Sequence, residues 1–231
     1  MEDLKKGLAA FGITPTDEMC RRFALYEKRL LEWNEKMNLT AITDHREVVN
    51  KHFVDSISCQ SLVPKGARIA DVGTGAGFPG LPLRIVREDI QVVLMDALQK
   101  RLHFLEAVIE ELGLGGVETA HQRAEDAGHS AFRESFDVVT ARAVANLPVL
   151  CEYCLPLVKV GGVFLALKGR EGKEETEKAE KAIRILGGKI TEIFDASWQD
   201  TAHIVIAIRK ERQTPAQYPR KAGKPQKSPI S

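Results

Sequence analysis

The 231-residue chain reads as an α/β fold, with five parallel strands, an antiparallel pair closing the sheet and a helical cap in front. Three observations lead there. From Pro64 onward, short apolar runs alternate with helical stretches, a pattern that calls for a parallel sheet covered on both faces. A glycine-dense turn, Asp71-Val72-Gly73-Thr74-Gly75-Ala76-Gly77-Phe78-Pro79-Gly80, follows the first of those runs directly. Only eight residues separate the last two runs, too few for a parallel crossover, so these strands must be antiparallel neighbours.

The elements follow in order. Thr14-Pro15-Thr16-Asp17 offers a cap, with Thr14 before a proline at the first helical position and an acidic residue at the third. Phe23, Tyr26, Leu30, Trp33 and Met37 then recur every three or four residues on one helix face, most simply as core packing. Asn38–Thr43 breaks that helix, and Asp44 with Glu47 forms a capping box for another carrying Val48, Phe53, Val54 and Ile57. The expected strands are Arg68–Val72, Gln91–Asp96, Val117–Gln122, Phe136–Ala141 and Val163–Lys168, then Lys189–Phe194 and His203–Arg209. Helices are expected over Lys100–Leu112, closed by Gly113, over Leu147–Lys159, closed by Gly161-Gly162, and over Glu174–Leu186. The divisions are a helical cap over 1–60, a sheet domain over 61–210 and a basic tail over 211–231.

Five parallel strands ending in an antiparallel pair is the Rossmann-like layout of class I S-adenosylmethionine (SAM)-dependent methyltransferases. Dinucleotide dehydrogenases continue instead with a parallel sixth strand. Gly75, Gly77 and Gly80 also satisfy G-x-G-x-x-G, so an NAD-dependent oxidoreductase stands as the alternative from a different class, behind a methyltransferase with another acceptor. Either cofactor would use Asp96, at the end of the second strand, to accept from ribose hydroxyls. SAM is favoured by Asp71 just before the glycines, by the antiparallel last pair, and by Arg123-Ala124-Glu125-Asp126 after the third strand, where methyltransferases hold adenine.

Composition sets outer limits. Hydrophobic residues make 44% and charged residues 28%, which excludes wholesale disorder. No signal-peptide pattern and no apolar run near 18 residues is present, so neither export nor a membrane partner is expected. Cys20, Cys59, Cys151 and Cys154 are sparse and irregular, which points to reduced thiols and the cytoplasm. Cys151-x-x-Cys154 lies in an apolar helix with no second Cys/His pair at zinc spacing, so no metal is expected. The net charge of +1 hides an asymmetry: from Arg209 onward the chain carries seven basic residues and one acidic, leaving the body at −5. A basic arm of this kind suits a polyanion.

The end of the fourth strand, Asp137-Val138-Val139-Thr140-Ala141-Arg142, should flank the transferable methyl. It holds neither the Asn/Asp-Pro-Pro-aromatic cluster of exocyclic-amine enzymes nor the cysteine that cytosine C5 requires. An acceptor needing no deprotonation, such as guanine N7, fits that absence, and catalysis then reduces to alignment. His52 and Asp55 share a helix face. The plain reading is a local side-chain pair, and the functional one is a lining for the acceptor cleft. Lys168 closes the fifth strand, where ligands bind in such sheets, and divides between a ligand contact and a structural role.

Met37–Thr43, Lys51–Ser56, Asp71–Pro82, Gln99-Lys100-Arg101, Arg123–Asp126, Thr140–Ala143, Ala166–Gly169 and the tail Tyr218–Pro229 occur in this order along the chain. Together they closely resemble the bacterial small-subunit ribosomal RNA methyltransferase G family (RsmG, or GidB), over nearly the whole length. The resemblance implies transfer of a methyl from SAM to guanine N7 in the 530 loop of 16S rRNA, at guanine 527. It puts cofactor contacts on Gly73, Phe78, Ala124, Glu125 and Arg142, beside Gly75 and Asp96 from the motif, with Arg142 organising the site. The tail residues Arg220, Lys221, Lys224 and Lys227 are expected to grip phosphates of 16S rRNA or of the small-subunit particle, from a monomer. Ala222 and Lys224 depart from the Pro and Thr more usual in the family's tail.

Overall fold

The computed structural model describes residues 1–230. Helices α1 (Glu2–Ala10) and α2 (Asp17–Met37) come first. They are followed by one winding run made of α3 (His45–Glu47), a π-helical segment (Val48–Val54) and α4 (Asp55–Ile57). The Thr16 hydroxyl, not Thr14, caps α2 by accepting from the Met19 N–H at 3.1 Å. With Asp17 and Glu18 filling the first turn, the positive helix end is met two residues later than Pro15 suggests. Asp44 caps α3 as expected, accepting from the Glu47 N–H at 3.0 Å.

Then β1 (Arg68–Val72), α5 (Gly80–Val86), β2 (Gln91–Asp96), α6 (Gln99–Leu112), β3 (Val117–His121), α7 (Ala124–Ala127), β4 (Phe136–Arg142), α8 (Leu147–Cys154), β5 (Val158–Gly169), α9 (Gly172–Ile185), β6 (Gly188–Asp195), β7 (His203–Lys210) and the short α10 (Lys224–Lys227) follow. The seven strands form one sheet in the order β3-β2-β1-β4-β5-β7-β6, in which β7 runs opposite to the other six. The α8 stretch ends earlier than its apolar pattern suggests. Pro156 has no N–H to extend the helix, so a 3₁₀ turn (Leu155–Leu157) intervenes and β5 begins at Val158. Gly161-Gly162 therefore lies within β5, where its pairing with β4 slips between Phe136↔Val158 and Val138↔Val163.

Alternate strand residues feed two apolar layers. Ile69, Leu94, Val138, Leu165 and Val205 pack against α1, α2, the π segment, α5 and α6. Ala70, Val93, Val139, Phe164 and Ile206 pack against α8 and α9. The helices before Pro64 thus share a core with the sheet. The order reverses between β1 and β4, and ligands of open α/β sheets bind beyond the strand ends at such a switch. Both the glycine loop and Arg142 lie there.

The C-terminal segment is folded back onto the body. Lys210, fully buried, bonds the carbonyls of Leu155 and Val158 and the Thr214 hydroxyl, with Glu134 3.2 Å away. Burial lowers its pKa to about 8. Two of the arm's positive charges, Lys210 and Arg220, are answered by body carboxylates, so the +6 read from sequence overstates what solvent meets.

Candidate functional site

The glycine loop is shaped from below by Asp71. This fully buried carboxylate accepts from the Thr74 hydroxyl (2.6 Å), the Gly80 N–H (3.0 Å) and the Thr140 hydroxyl (3.0 Å). Burial pushes its pKa up, against the pull of these bonds. Its work is structural: it ties β1, the loop and β4 together. Gly73, at φ 67°, lies so close to the next wall that a Cβ would stand 2.6 Å from Val144 Cγ2. Gly77, at φ 100°, leaves room for the Tyr26 hydroxyl, which bonds the Ala76 carbonyl.

A cavity of about 370 Å³ opens beside this loop, and Gly73, Asp96, Ala124 and Glu125, four of the residues named from sequence, are brought together in its lining. Asp96 Oδ1 accepts from the Leu98 N–H (2.9 Å), and Oδ2 from the Gly75 N–H (3.0 Å) and Arg101 (3.2 Å). Gly75 thus sets the Asp96 carboxylate and does not line the cavity. A carboxylate has about four acceptor positions, so Oδ1 keeps one open, and the half-exposed Arg101 holds one that a hydroxyl could take over. Leu98, one of the few exposed large apolar residues, and Tyr153 share the lining and carried no sequence signal.

A second cavity, about 620 Å³, is lined by Lys51, His52, Asp55, Arg142, Lys168 and His203 among others. At its centre Arg142 donates to Asp55 Oδ2 at 2.6 Å and to the Lys51 carbonyl at 3.0 Å, and its guanidinium lies 4.9 Å from the centroid of Phe78. Asp55, 3% exposed, bonds His203 with its other oxygen. Burial raises the Asp55 pKa, but the His203 bond and the Arg142 charge outweigh it and hold the carboxyl below its ordinary value. His52 does not pair with Asp55, as the plain reading of the helix had it. Its Nδ1 faces Arg142 at 3.4 Å and its Nε2 meets the Thr40 hydroxyl at 2.8 Å. A guanidinium only donates, so His52 is the neutral Nε2–H form. Burial, then the Arg142 charge, lower its pKa to about 4.

Phe78 is 6% exposed, stacked by His52 at 4.6 Å and by Tyr26 at 5.5 Å; its ring is a platform under Arg142 and lines neither cavity. Lys168 is tied to Glu175 (2.8 Å) and to the Ala145 carbonyl (2.7 Å). Cys151 and Cys154 are fully buried thiols whose pKa burial raises. Among the described residues no group of three or more His, Cys, Asp or Glu is placed to hold a metal, and no helix is long and apolar enough to cross a membrane.

The two cavities meet at Ala143, which lines both and holds φ 56°, a conformation uncommon for a residue with a Cβ. Non-glycine residues in that region cluster where function fixes the backbone. The tail distributes its cations unevenly. Arg220 chelates the buried Glu152 (2.8 and 2.6 Å) and so does not face solvent phosphate, whereas Lys221, Lys224 and Lys227 are exposed.

Comparison with known proteins shows the family and the fold. A family model for rRNA small subunit methyltransferase G (GidB) matches residues 19–205. The chain is 51% identical to the ribosomal RNA small subunit methyltransferase G of Acetivibrio thermocellus, over 99% of this chain and 96% of that one. It is also 51% identical to the protein of that name from Geobacillus kaustophilus, over 95% and 94%. In fold it is similar to a SAM dependent methyltransferase from Aquifex aeolicus (TM-score 0.55, 17% identity, covering 74% of this chain and 96% of that one). It is likewise similar to M. jannaschii TYW2 solved in complex with AdoMet (TM-score 0.53, 15% identity, covering 68% and 76%). Matched along nearly its whole length, the chain belongs to the rRNA small subunit methyltransferase G family.

Proposed function

We propose that the chain transfers a methyl group from SAM to N7 of a guanine in the 530 loop of 16S rRNA, guanine 527 in the standard numbering. The observation that best supports this is the junction at Ala143. The strand-end carboxylate of Asp96 lines one cavity, and the other, about 620 Å³, has its one buried carboxylate, Asp55, already engaged. The relatives' name, ribosomal RNA small subunit methyltransferase G, supports the substrate class.

SAM, when bound, supplies a sulfonium methyl, so that the N7 lone pair forms the new C–N bond as the S–C bond breaks and no proton is removed. The residues that would hold it are Gly73 and Asp96, with the open Oδ1 position toward the ribose hydroxyls, and Ala124 and Glu125 toward adenine. Gly75 fixes Asp96. Arg142, clamped by Asp55 and carried on Phe78, keeps Ala143 in place between the two cavities. No side chain need act as general base, in keeping with a neutral His52 bonded on both nitrogens and an Asp55 committed to Arg142 and His203. Effective molarity, not proton transfer, then carries the rate. The lining holds Asp55, Glu171, Glu175 and Asp200 against Lys51, Arg142 and Lys168, a slight negative excess suited to a guanine that becomes cationic on methylation.

The exposed Lys221, Lys224 and Lys227 would contact rRNA phosphates. On this reading the protein acts as a monomer in the cytoplasm, with its rRNA substrate. Incubation with [methyl-³H]SAM and 16S rRNA lacking the modification, followed by digestion to nucleosides, should yield label in N7-methylguanosine. Label in any other nucleoside, or none, would refute the assignment.

A further inference from the structure

The C-terminal segment does more than carry lysines. Residues 218–230 are held against α7 and α8 by several independent anchors. Arg220 donates to Glu152 through its backbone N–H (2.8 Å) and its guanidinium, and Glu152 is itself 0% exposed. The carbonyl of Tyr218 accepts from Arg133 at 2.8 Å, and that of Pro219 bonds His129 at 2.7 Å. Pro225 and Ile230 are buried. The approach is close: a Cβ on Gly128 would stand 2.5 Å from Pro219 Cδ.

Between those anchors the segment reaches the cofactor cavity. The Gly223 N–H donates to Glu125 Oε1 at 3.2 Å, and Gly223 and Gln226 line the cavity with Asp96, Ala124 and Glu125. A solvated arm gains nothing from such placement. A buried ion pair such as Arg220–Glu152 is weak evidence for stability and is better understood as fixing a position. What it fixes is the backbone beside Gln226, whose exposed side chain is, with that of Gln122, one of two carboxamides in the cavity lining. Of the side chains, Asn and Gln alone present a donor and an acceptor side by side, and this pair matches the amino group and adjacent ring nitrogen of adenine.

We propose that residues 218–230 form a clasp that completes the cofactor site, with the Gln226 carboxamide pairing to the N6 amino group and N7 of adenine. The inference rests on SAM being the ligand of this cavity, as read above. The clasp begins only after β7 has ended at Lys210, with residues 211–217 between them, so the cofactor site is finished only when this segment has docked.

The test uses the full chain and S-adenosylhomocysteine in calorimetry, so that no turnover is needed. Gln226→Ala should weaken binding about three- to tenfold, the worth of one ordinary hydrogen bond. S-inosylhomocysteine, in which a carbonyl replaces the amino group, should bind more weakly than S-adenosylhomocysteine to the unaltered chain, with that gap narrowed in Gln226→Ala. Hydrogen exchange provides a reading independent of any variant: amides over 218–230 should slow when S-adenosylhomocysteine is added. Binding by the unaltered chain with Gln226→Ala unchanged in affinity and discrimination, or with no added protection over 218–230, would overturn the clasp alone. No binding by the unaltered chain would overturn the SAM reading and the clasp with it.

Discussion

At the scale of residues, Arg142 is the centre on which the rest converges. Asp55 supplies its counter-charge, the Lys51 carbonyl a second acceptor, Phe78 a flat support and His52 a neutral neighbour. The histidine yields a pH test. Its folded-state pKa is depressed from 6.5 to about 4, so between those values the unfolded chain binds a proton that the folded chain refuses. Its contribution to stability is therefore present above pH 6.5 and lost as pH falls toward 4. At about 1.4 kcal/mol per pKa unit the ceiling is about 3 kcal/mol. The melting temperature of the unaltered chain should drop over that window more steeply than that of His52→Gln. Parallel curves for the two proteins would show that His52 is not held neutral. Arg142 itself was legible in sequence because it stands at a strand end. Its partner Asp55 was visible only as a helix neighbour of His52, and His203, 148 residues from Asp55, gave no local sign at all.

At the scale of elements, what the sequence shows well is what a few adjacent residues decide. β1 and β2 fall on the residues their apolar runs mark, and α6 stops at Gly113, whose φ is 61°. The π-helical stretch Val48–Val54 reads as ordinary helix in sequence, because its apolar spacing is as compatible with one winding as with the other. The glycine loop shows the difference between a turn and a site. Gly75 has open space around it, whereas Gly73 has none on the side of Val144. Gly73→Ala therefore introduces both a Cβ contact at 2.6 Å and a left-handed residue, the latter alone worth about 1–2 kcal/mol. Calorimetry should show SAM affinity reduced more than tenfold in Gly73→Ala. Unchanged affinity would mean that the loop wall at Val144 yields and that Gly73 does not shape the cavity.

At the scale of the whole molecule, charge and chain fold tell different stories. Sequence arithmetic separates an acidic body from a basic end, yet Lys210 and Arg220 turn inward to Glu134 and Glu152, carboxylates 68 or more residues distant. Such pairings depend on which surfaces the folded sheet brings together, and no window of sequence contains them. Three lysines remain outside, at 221, 224 and 227. If each contacts one phosphate of a single-stranded loop, replacing all three with alanine should make the slope of log affinity against log salt shallower by about 2, at about 0.7 per contact. An unaltered slope would move the RNA interface elsewhere on the surface. The account as a whole stands on one chemical outcome at one position. In a strain lacking this protein, mass mapping of the 530 loop of 16S rRNA should show guanine 527 unmethylated, and restoring the chain should add a single methyl at its N7. Full methylation of that guanine without the protein, or a restored methyl at another base or atom, would contradict the account.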